Sequence, residues 1–358
     1  MEVKNVTYFN TTNLTVVEEL FDAAGLPEVI CFSLLFLIIG FVGISGNGLV
    51  IYVVISNKKM RQCATNLMIC NLALADLVIM MFGIPEIVQF MINRGWIFDL
   101  LTCKINRYIM VSSLYTSVLT LVAVCIERYV GIIHPLKAYV LCHRKRISVV
   151  IGVIWVISCL AGIPTLTFNE VLPGQQNDTS LKFCMMSFPA YHKTFFLVFK
   201  FSEFVIFYLG PLIIQVILYA TVSKHLFVKT DQLHRKLKSF DESGTPIEVT
   251  SEAVQARRGV VKMLILSVLV YFLSYSPQQI LLFYHVIYPA TFQSHWSLQV
   301  CVMIVAYINS AVNPIFYSIF SQNFRNGFKR VLCCEKDQRK ITYTSSCRLG
   351  RFMMVSTS

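Results

Sequence analysis

Apolar residues in this chain gather into seven long blocks instead of alternating with polar ones. They run from about Ile30 to Ile55, Thr65 to Ile92, Lys104 to Ile133, Ile147 to Phe168, Phe195 to Val222, Val260 to Ile287 and Trp296 to Phe320. Crossing the hydrocarbon of a bilayer takes roughly 20 apolar residues as a helix, and each block is long enough. Lipid cannot hydrogen-bond an open N–H or C=O, so spans of this kind must be helical. The pattern predicts an all-α fold, an integral membrane bundle of seven transmembrane helices over residues 29–321, preceded by a tail at 1–28. After the last block the period changes. Phe324, Phe328 and Leu332 recur at i, i+4 and i+8, with Arg325, Lys329 and Arg330 on other faces. That spacing predicts a short amphipathic juxtamembrane helix within 322–334, lying on the membrane surface, with a tail at 335–358.

Composition agrees: 56% of residues are apolar and 14% charged, far from the soluble average. A soluble protein with buried helices is excluded on that ground. The blocks leave no room for a second globular domain in 358 residues. The first residues lack a basic segment followed by a short apolar core and cleavage site, so the first span is expected to act as its own insertion signal.

The net charge of +12 would suit nucleic acid, but its placement points to a membrane. Lys58, Lys59 and Arg61 follow the first span, and Arg144, Lys145 and Arg146 follow the third. Lys224, Lys236, Arg257 and Arg258 lie between the fifth and sixth, and Arg325, Lys329 and Arg330 follow the seventh. The alternate connections are poor in base. This positive-inside bias places the N-terminus outside and the C-terminal tail in the cytoplasm, so a multi-pass plasma-membrane protein is expected and no nucleic-acid partner. Sequons at Asn5, Asn10, Asn13 and Asn177 all fall on the predicted extracellular face, where glycans are added. Of the twelve cysteines, Cys103 and Cys184 are placed on that oxidising face, which makes them the expected disulfide; two free thiols are the alternative. No Cys/His spacing suggests zinc.

An ionisable side chain inside a span is costly and faces the bundle interior. Asp76 is the one acid near the middle of any span, and Asn47, Ser117, Asn309, Ser310 and Asn313 are available to meet it. A carboxylate among hydroxyls and amides suits a sodium ion or a proton, or a purely structural hydrogen-bonded role. Pro85, Pro164, Pro211, Pro277 and Pro314 each remove a backbone donor from a span and bend it. Glu127-Arg128-Tyr129 closes the third span with an adjacent acid and base.

Together these residues resemble the rhodopsin-like (class A) family of G protein-coupled receptors, over about Pro27 to Cys334. The likeness rests on Gly46-Asn47-Gly48-Leu49-Val50, Asn71-Leu72-Ala73-Leu74-Ala75-Asp76, Trp96 before Cys103, Glu127-Arg128-Tyr129, Trp155, Pro211 with Tyr219, and Asn313-Pro314-Ile315-Phe316-Tyr317. The resemblance implies signalling without covalent chemistry, so no enzyme and no cofactor beyond an allosteric sodium ion. An extracellular ligand shifts the bundle between two packings, the sixth span swings outward, and a heterotrimeric G protein enters the inner cavity. It also implies a sodium site at Asp76, Ser117, Asn309 and Ser310. Switch positions are implied at Glu127, Arg128, Tyr129, Tyr219, Asn313, Pro314 and Tyr317. Tyr275 stands where the family usually has a Trp before the sixth-span Pro277, in Ser274-Tyr275-Ser276-Pro277. Arg257-Arg258 stands where many members offer an acid to Arg128, so a looser resting state with some basal activity is expected. Cys333 and Cys334 are candidates for palmitoylation. Thr342, Ser345, Ser356 and other hydroxyls of the tail can be phosphorylated, with receptor kinases and arrestin as the partners implied.

For the ligand, the resemblance excludes two classes. Met110 replaces the third-span Asp of amine receptors, and Tyr307 replaces the retinal lysine of opsins. The predicted outer half carries Glu86, Arg107, Lys200, Glu203, Gln278, Gln279 and His285 instead, a candidate ligand site together with Met110 and Tyr307, and mixed charge suits a peptide. Trp96-Ile97-Phe98 also resembles the outer loop of peptide receptors, placing the chain with the peptide or neuropeptide branch. A lipid or small carboxylate remains the alternative ligand. A transporter or channel is the alternative class, though no internal repeat relates the two halves.

Overall fold

The structure, a computed structural model, describes residues 26–91, 95–176, 179–187, 193–225, 248–287 and 296–333. Among them, seven helices are long and apolar enough to cross a membrane. The first four are Leu26–Ser56, Ala64–Met91, Leu100–Ile133 and Arg144–Phe168. The fifth span is Lys193–Phe204 continued by Gly210–Lys224, the sixth is Glu248–Ile287 and the seventh Trp296–Phe320. Polarity is inverted relative to a soluble core. Phe41, Val149 and Ile280 are exposed, whereas Asn47, Asp76 and Ser310 are fully buried. Apolar side chains lose nothing against lipid, so the interior collects polar groups and close packing instead.

The ends of the spans follow local chemistry. Asp99 caps the third span, accepting from the Thr102 N–H at 3.0 Å, so the helix begins at Leu100, a turn earlier than expected. Bonds from the Thr102 hydroxyl and backbone N–H hold the Asp99 carboxyl below its ordinary range. Pro135 opens a separate short helix, Pro135–Leu141, directly after the third span. The expected juxtamembrane helix is present as Gln322–Leu332, with Phe324 and Phe328 buried against the bundle and Leu332 exposed.

Three features depart from the expected pattern. The sixth helix extends well before Val260, to Glu248. The fifth span is interrupted by a π-helical turn at Val205–Leu209, just ahead of Pro211. The connection after the fourth span is an antiparallel hairpin, β1 Asn169–Gln176 and β2 Thr179–Met186, an addition to the all-α bundle. Val171 pairs with Cys184 in its register. Cys184 is bonded to Cys103 as expected, with Cα atoms 5.7 Å apart. The Trp96 N–H donates to the Lys182 carbonyl at 2.6 Å, after a turn at Gly95 with φ 60°. The hairpin is thereby pinned over one end of the bundle.

Asn5, Asn10, Asn13, Asn177, Cys334 and the tail hydroxyls lie outside the described residues. Cys333 is exposed at the end of the last helix.

Spans two, three and four meet at one polar node. Asn71 donates to the Thr120 hydroxyl at 2.8 Å and accepts from Trp155 Nε1 at 2.8 Å. Close packing continues along the third and fourth spans, where a Cβ on Gly162 would sit 2.5 Å from the Ser112 hydroxyl. Asn71→Leu keeps the branching and number of side-chain heavy atoms and removes both bonds. It should lower stability by about 1–2 kcal/mol, two interhelical bonds at their usual membrane values. A thermal-midpoint drop of a few degrees in detergent checks this, with Asn66→Leu, whose amide reaches only the Met60 carbonyl 6 residues away, as the comparison.

Candidate ligand site and switch residues

The candidate residues fall into three groups along the bundle. At the hairpin end are two charged pairs. Arg107, on the third span, bonds Glu86 of the second through Nη2, and the same nitrogen donates to the Cys184 carbonyl at 3.1 Å. Asn106 adds a donor to Glu86 at 3.0 Å. The disulfide therefore sets the position of the guanidinium as well as that of the hairpin. Arg107 remains about a third exposed (36%), and its Nε has no partner among the described residues. The second pair lies on the fifth span. Lys200 bonds Glu203 at 2.9 Å, and Tyr115 of the third span donates to the other oxygen of that carboxylate at 2.7 Å. Tyr115 is itself stacked on Phe207 with ring centroids 3.7 Å apart.

Not every expected ligand residue joins these pairs. Met110 is half-buried against the cluster of Phe36, Ile304 and Tyr307, with its sulfur 3.6 Å from the Asn106 amide. Tyr307 is buried in that cluster. Its phenol packs so tightly on the second span that a Cβ on Gly83 would overlap it. Gln279 is half-buried on the sixth span and Gln278 exposed. His285 sits two residues before that helix's end at Ile287, and its side chain lies outside the described ones.

The middle group surrounds Asp76, which is fully buried. One carboxylate oxygen accepts from Ser117 at 3.2 Å and Ser310 at 3.0 Å, and the other from Asn313 at 2.8 Å. Three spans therefore meet on one carboxylate, all through neutral donors. Asn47 donates to the Ser310 carbonyl at 2.9 Å, and its own Oδ1 is buried without a partner among the described residues. Asn309 is buried, but among the described residues no hydrogen bond joins it to Asp76; it lies beside the Tyr275 phenol. Tyr275 is buried 5.1 Å from the Tyr271 ring.

The third group lies at the opposite end. Arg128 clamps its neighbour Glu127 through Nε at 2.6 Å and Nη2 at 2.8 Å. Thr65 of the second span donates to Glu127 at 3.0 Å and contacts Arg128 Nη2. Tyr219 is buried in the same cluster as Cys125. Tyr317, after Pro314, is buried with its ring 5.4 Å from Phe324 of the juxtamembrane helix. Tyr129 faces His134, ring centroids 5.8 Å apart, rather than Arg128.

Sequence reasoning missed the partners that make each group specific: Asn106 on Glu86, Tyr115 on Glu203, Thr65 on the Glu127–Arg128 pair, and Tyr271 with Tyr208 between spans five and six. Tyr115 and Tyr271 carried a signal, since a phenol inside a span needs a hydrogen-bond partner.

The seven spans, the buried Asp76 centre and the Glu127–Arg128 clamp define a seven-helix membrane receptor architecture. The family model described as 7 transmembrane receptor (rhodopsin family) matches residues 46–317. The chain belongs to this rhodopsin family of seven-transmembrane receptors and is not an enzyme. It is 34% identical over 331 residues to neuropeptide receptor 15 of Caenorhabditis elegans, covering 90% of this chain and 94% of that one. It is 30% identical to galanin receptor 2a of Danio rerio, covering 86% and 79%. It is also 30% identical to the allatostatin-A receptor of Bombyx mori, covering 83% and 78%.

Proposed function

We propose that the chain is a plasma-membrane receptor for an extracellular peptide, with the hairpin end outside, and that it activates a heterotrimeric G protein at the opposite end. The observation that carries the reading is the hairpin-end pair of opposite charges, Glu86–Arg107 and Lys200–Glu203, beside a backbone carbonyl of the hairpin. Amides and charged ends of a peptide need donors and acceptors together, and both are offered there. The named relatives are receptors for neuropeptides, galanin and allatostatin-A, which supports the same ligand class. The N-terminal sequons would carry glycans, Cys333 a palmitoyl anchor, and the C-terminal hydroxyls phosphates read by arrestin after receptor kinases act.

The test is a panel of amidated neuropeptides applied to cells expressing the chain, with G-protein activation as readout. At least one peptide should activate wild type. Arg107→Ala should then lower its potency about tenfold or more, below the full cost of stripping a buried charge partner because Arg107 is partly exposed. A silent panel, or potency unchanged in both Arg107→Ala and Lys200→Ala, would count against the peptide site.

A sodium ion fits the Asp76 centre. The carboxylate is fully buried among neutral donors, and the unpartnered Asn47 Oδ1 adds a further oxygen beside Ser310. Hard cations favour such oxygen sets. Asp76, Ser117 and Ser310 would hold the ion, which supplies charge balance only. The thermal midpoint of purified receptor should rise in sodium chloride relative to N-methylglucamine chloride at equal ionic strength. The difference should vanish in Asp76→Asn; no difference in wild type would leave Asp76 a structural carboxylate.

The Glu127–Arg128 clamp supports a switch role for Arg128. Glu127→Gln weakens the hold on Arg128 and should raise basal nucleotide exchange. Arg128→Ala should silence exchange while ligand binding persists. Exchange on a G protein, normalised to surface receptor, checks both, and a fully active Arg128→Ala would sink this assignment.

A further inference from the structure

Phe207 lies inside the π turn of the fifth span, four residues before Pro211. In an α-helix its carbonyl would accept from the N–H of residue 211, and proline has none. The turn widens instead, the Gly210 N–H reaching back to the Val205 carbonyl. A Cβ on Gly210 would lie 2.8 Å from that oxygen, so the close approach requires glycine. The Phe207 carbonyl then takes its donor from another helix: the Tyr271 hydroxyl of the sixth span, at 2.7 Å. Both groups are buried in lipid-embedded helices, where an unmet carbonyl is costly. A second phenol crosses the same interface nearby, Tyr208 meeting the Ser276 hydroxyl at 2.6 Å. Ser276 already donates to the Phe272 carbonyl at 2.7 Å, so the Tyr208 hydroxyl is the donor there. That second bond involves no missing backbone partner.

We propose that Tyr271 is a positioning residue whose hydroxyl replaces the N–H absent at Pro211, fixing the sixth span against the π turn of the fifth. Resting on the receptor reading above, the bond restrains the sixth span in the packing seen here. Tyr271 is 4% exposed with its ring 5.1 Å from that of Tyr275, which lies beside Asn309, the neighbour of the Asp76 partner Ser310, so a shift of the sixth span at Tyr271 is felt next to the Asp76 centre.

The test is a double-mutant cycle in full-length receptor reconstituted in nanodiscs. Tyr271→Phe keeps the ring and removes the donor. Pro211→Ala returns an N–H that can reach Phe207. Two readouts are taken: thermal midpoint, and basal nucleotide exchange on purified Gi and Gq heterotrimers. Tyr271→Phe should lower the midpoint and raise basal exchange about threefold or more, the factor for one interhelical bond in a membrane. In the Pro211→Ala background the same change should have less than half the effect on both. Tyr208→Phe is the control, and its effect should be equal in the two backgrounds. A Tyr271→Phe receptor indistinguishable from wild type overturns the proposal, as does an equal effect with and without Pro211. Coupling in the midpoint with unchanged exchange overturns the restraint on the sixth span. If no variant, wild type included, drives exchange on either heterotrimer, the receptor reading is at fault and the midpoint cycle still decides the Tyr271–Phe207 bond.

Discussion

The constraint on which the whole molecule depends is that lipid satisfies no polar group, so every break in backbone hydrogen bonding must be closed from within the protein. The spans hold Pro85, Pro164, Pro211, Pro277 and Pro314, and each proline removes a donor. At Pro211 the repair is visible: a π turn, a glycine and a phenol from the next helix. The same constraint explains why Asn47, Asn71, Asp76, Ser117, Thr120 and Asn313 are all buried. Facing lipid they would lack partners; facing one another they join spans one, two, three, four and seven.

These polar contacts stabilise the bundle only modestly. Interhelical hydrogen bonds in membranes average well under 1 kcal/mol, because the separated helices find other partners. Cohesion therefore comes mainly from packing, such as Tyr115 on Phe207 or the juxtamembrane Phe324 on Tyr317. What the polar groups add is direction. A carboxylate gripped by Ser117, Ser310 and Asn313 admits few arrangements of three helices, and a small change in those bonds can favour another packing.

The three groups of residues form a connected series. Arg107 and Glu86 occupy the hairpin end, Tyr307 presses on Gly83 three residues before Glu86 on the second span, and Asp76 lies about two turns further along that span. Glu127 and Arg128 lie about three turns further along the third span from Ser117. Rigid helices carry displacement along such a series without a continuous chain of bonds.

Sequence alone determined the architecture. Seven apolar blocks of spanning length leave helices as the only solution, and the seventh helix begins and ends where the block does, at Trp296 and Phe320. Asp76 was legible as a buried centre because a lone acid in an apolar block has nowhere else to go, and Cys103–Cys184 because only those two were placed on one oxidising face. The tertiary structure decided what period and composition do not encode. Which phenol reaches which carboxylate, that Asn313 donates to Asp76, and that Thr65 completes the Glu127–Arg128 clamp are facts about helix rotation and depth. The hairpin between the fourth and fifth spans was equally hidden, since its pairing is fixed by a disulfide and by Trp96 more than by any alternation in its strands. A bilayer constrains strongly whether a segment is a helix and only weakly how that helix is turned, because lipid is the same on every side; the neighbouring helices set that angle.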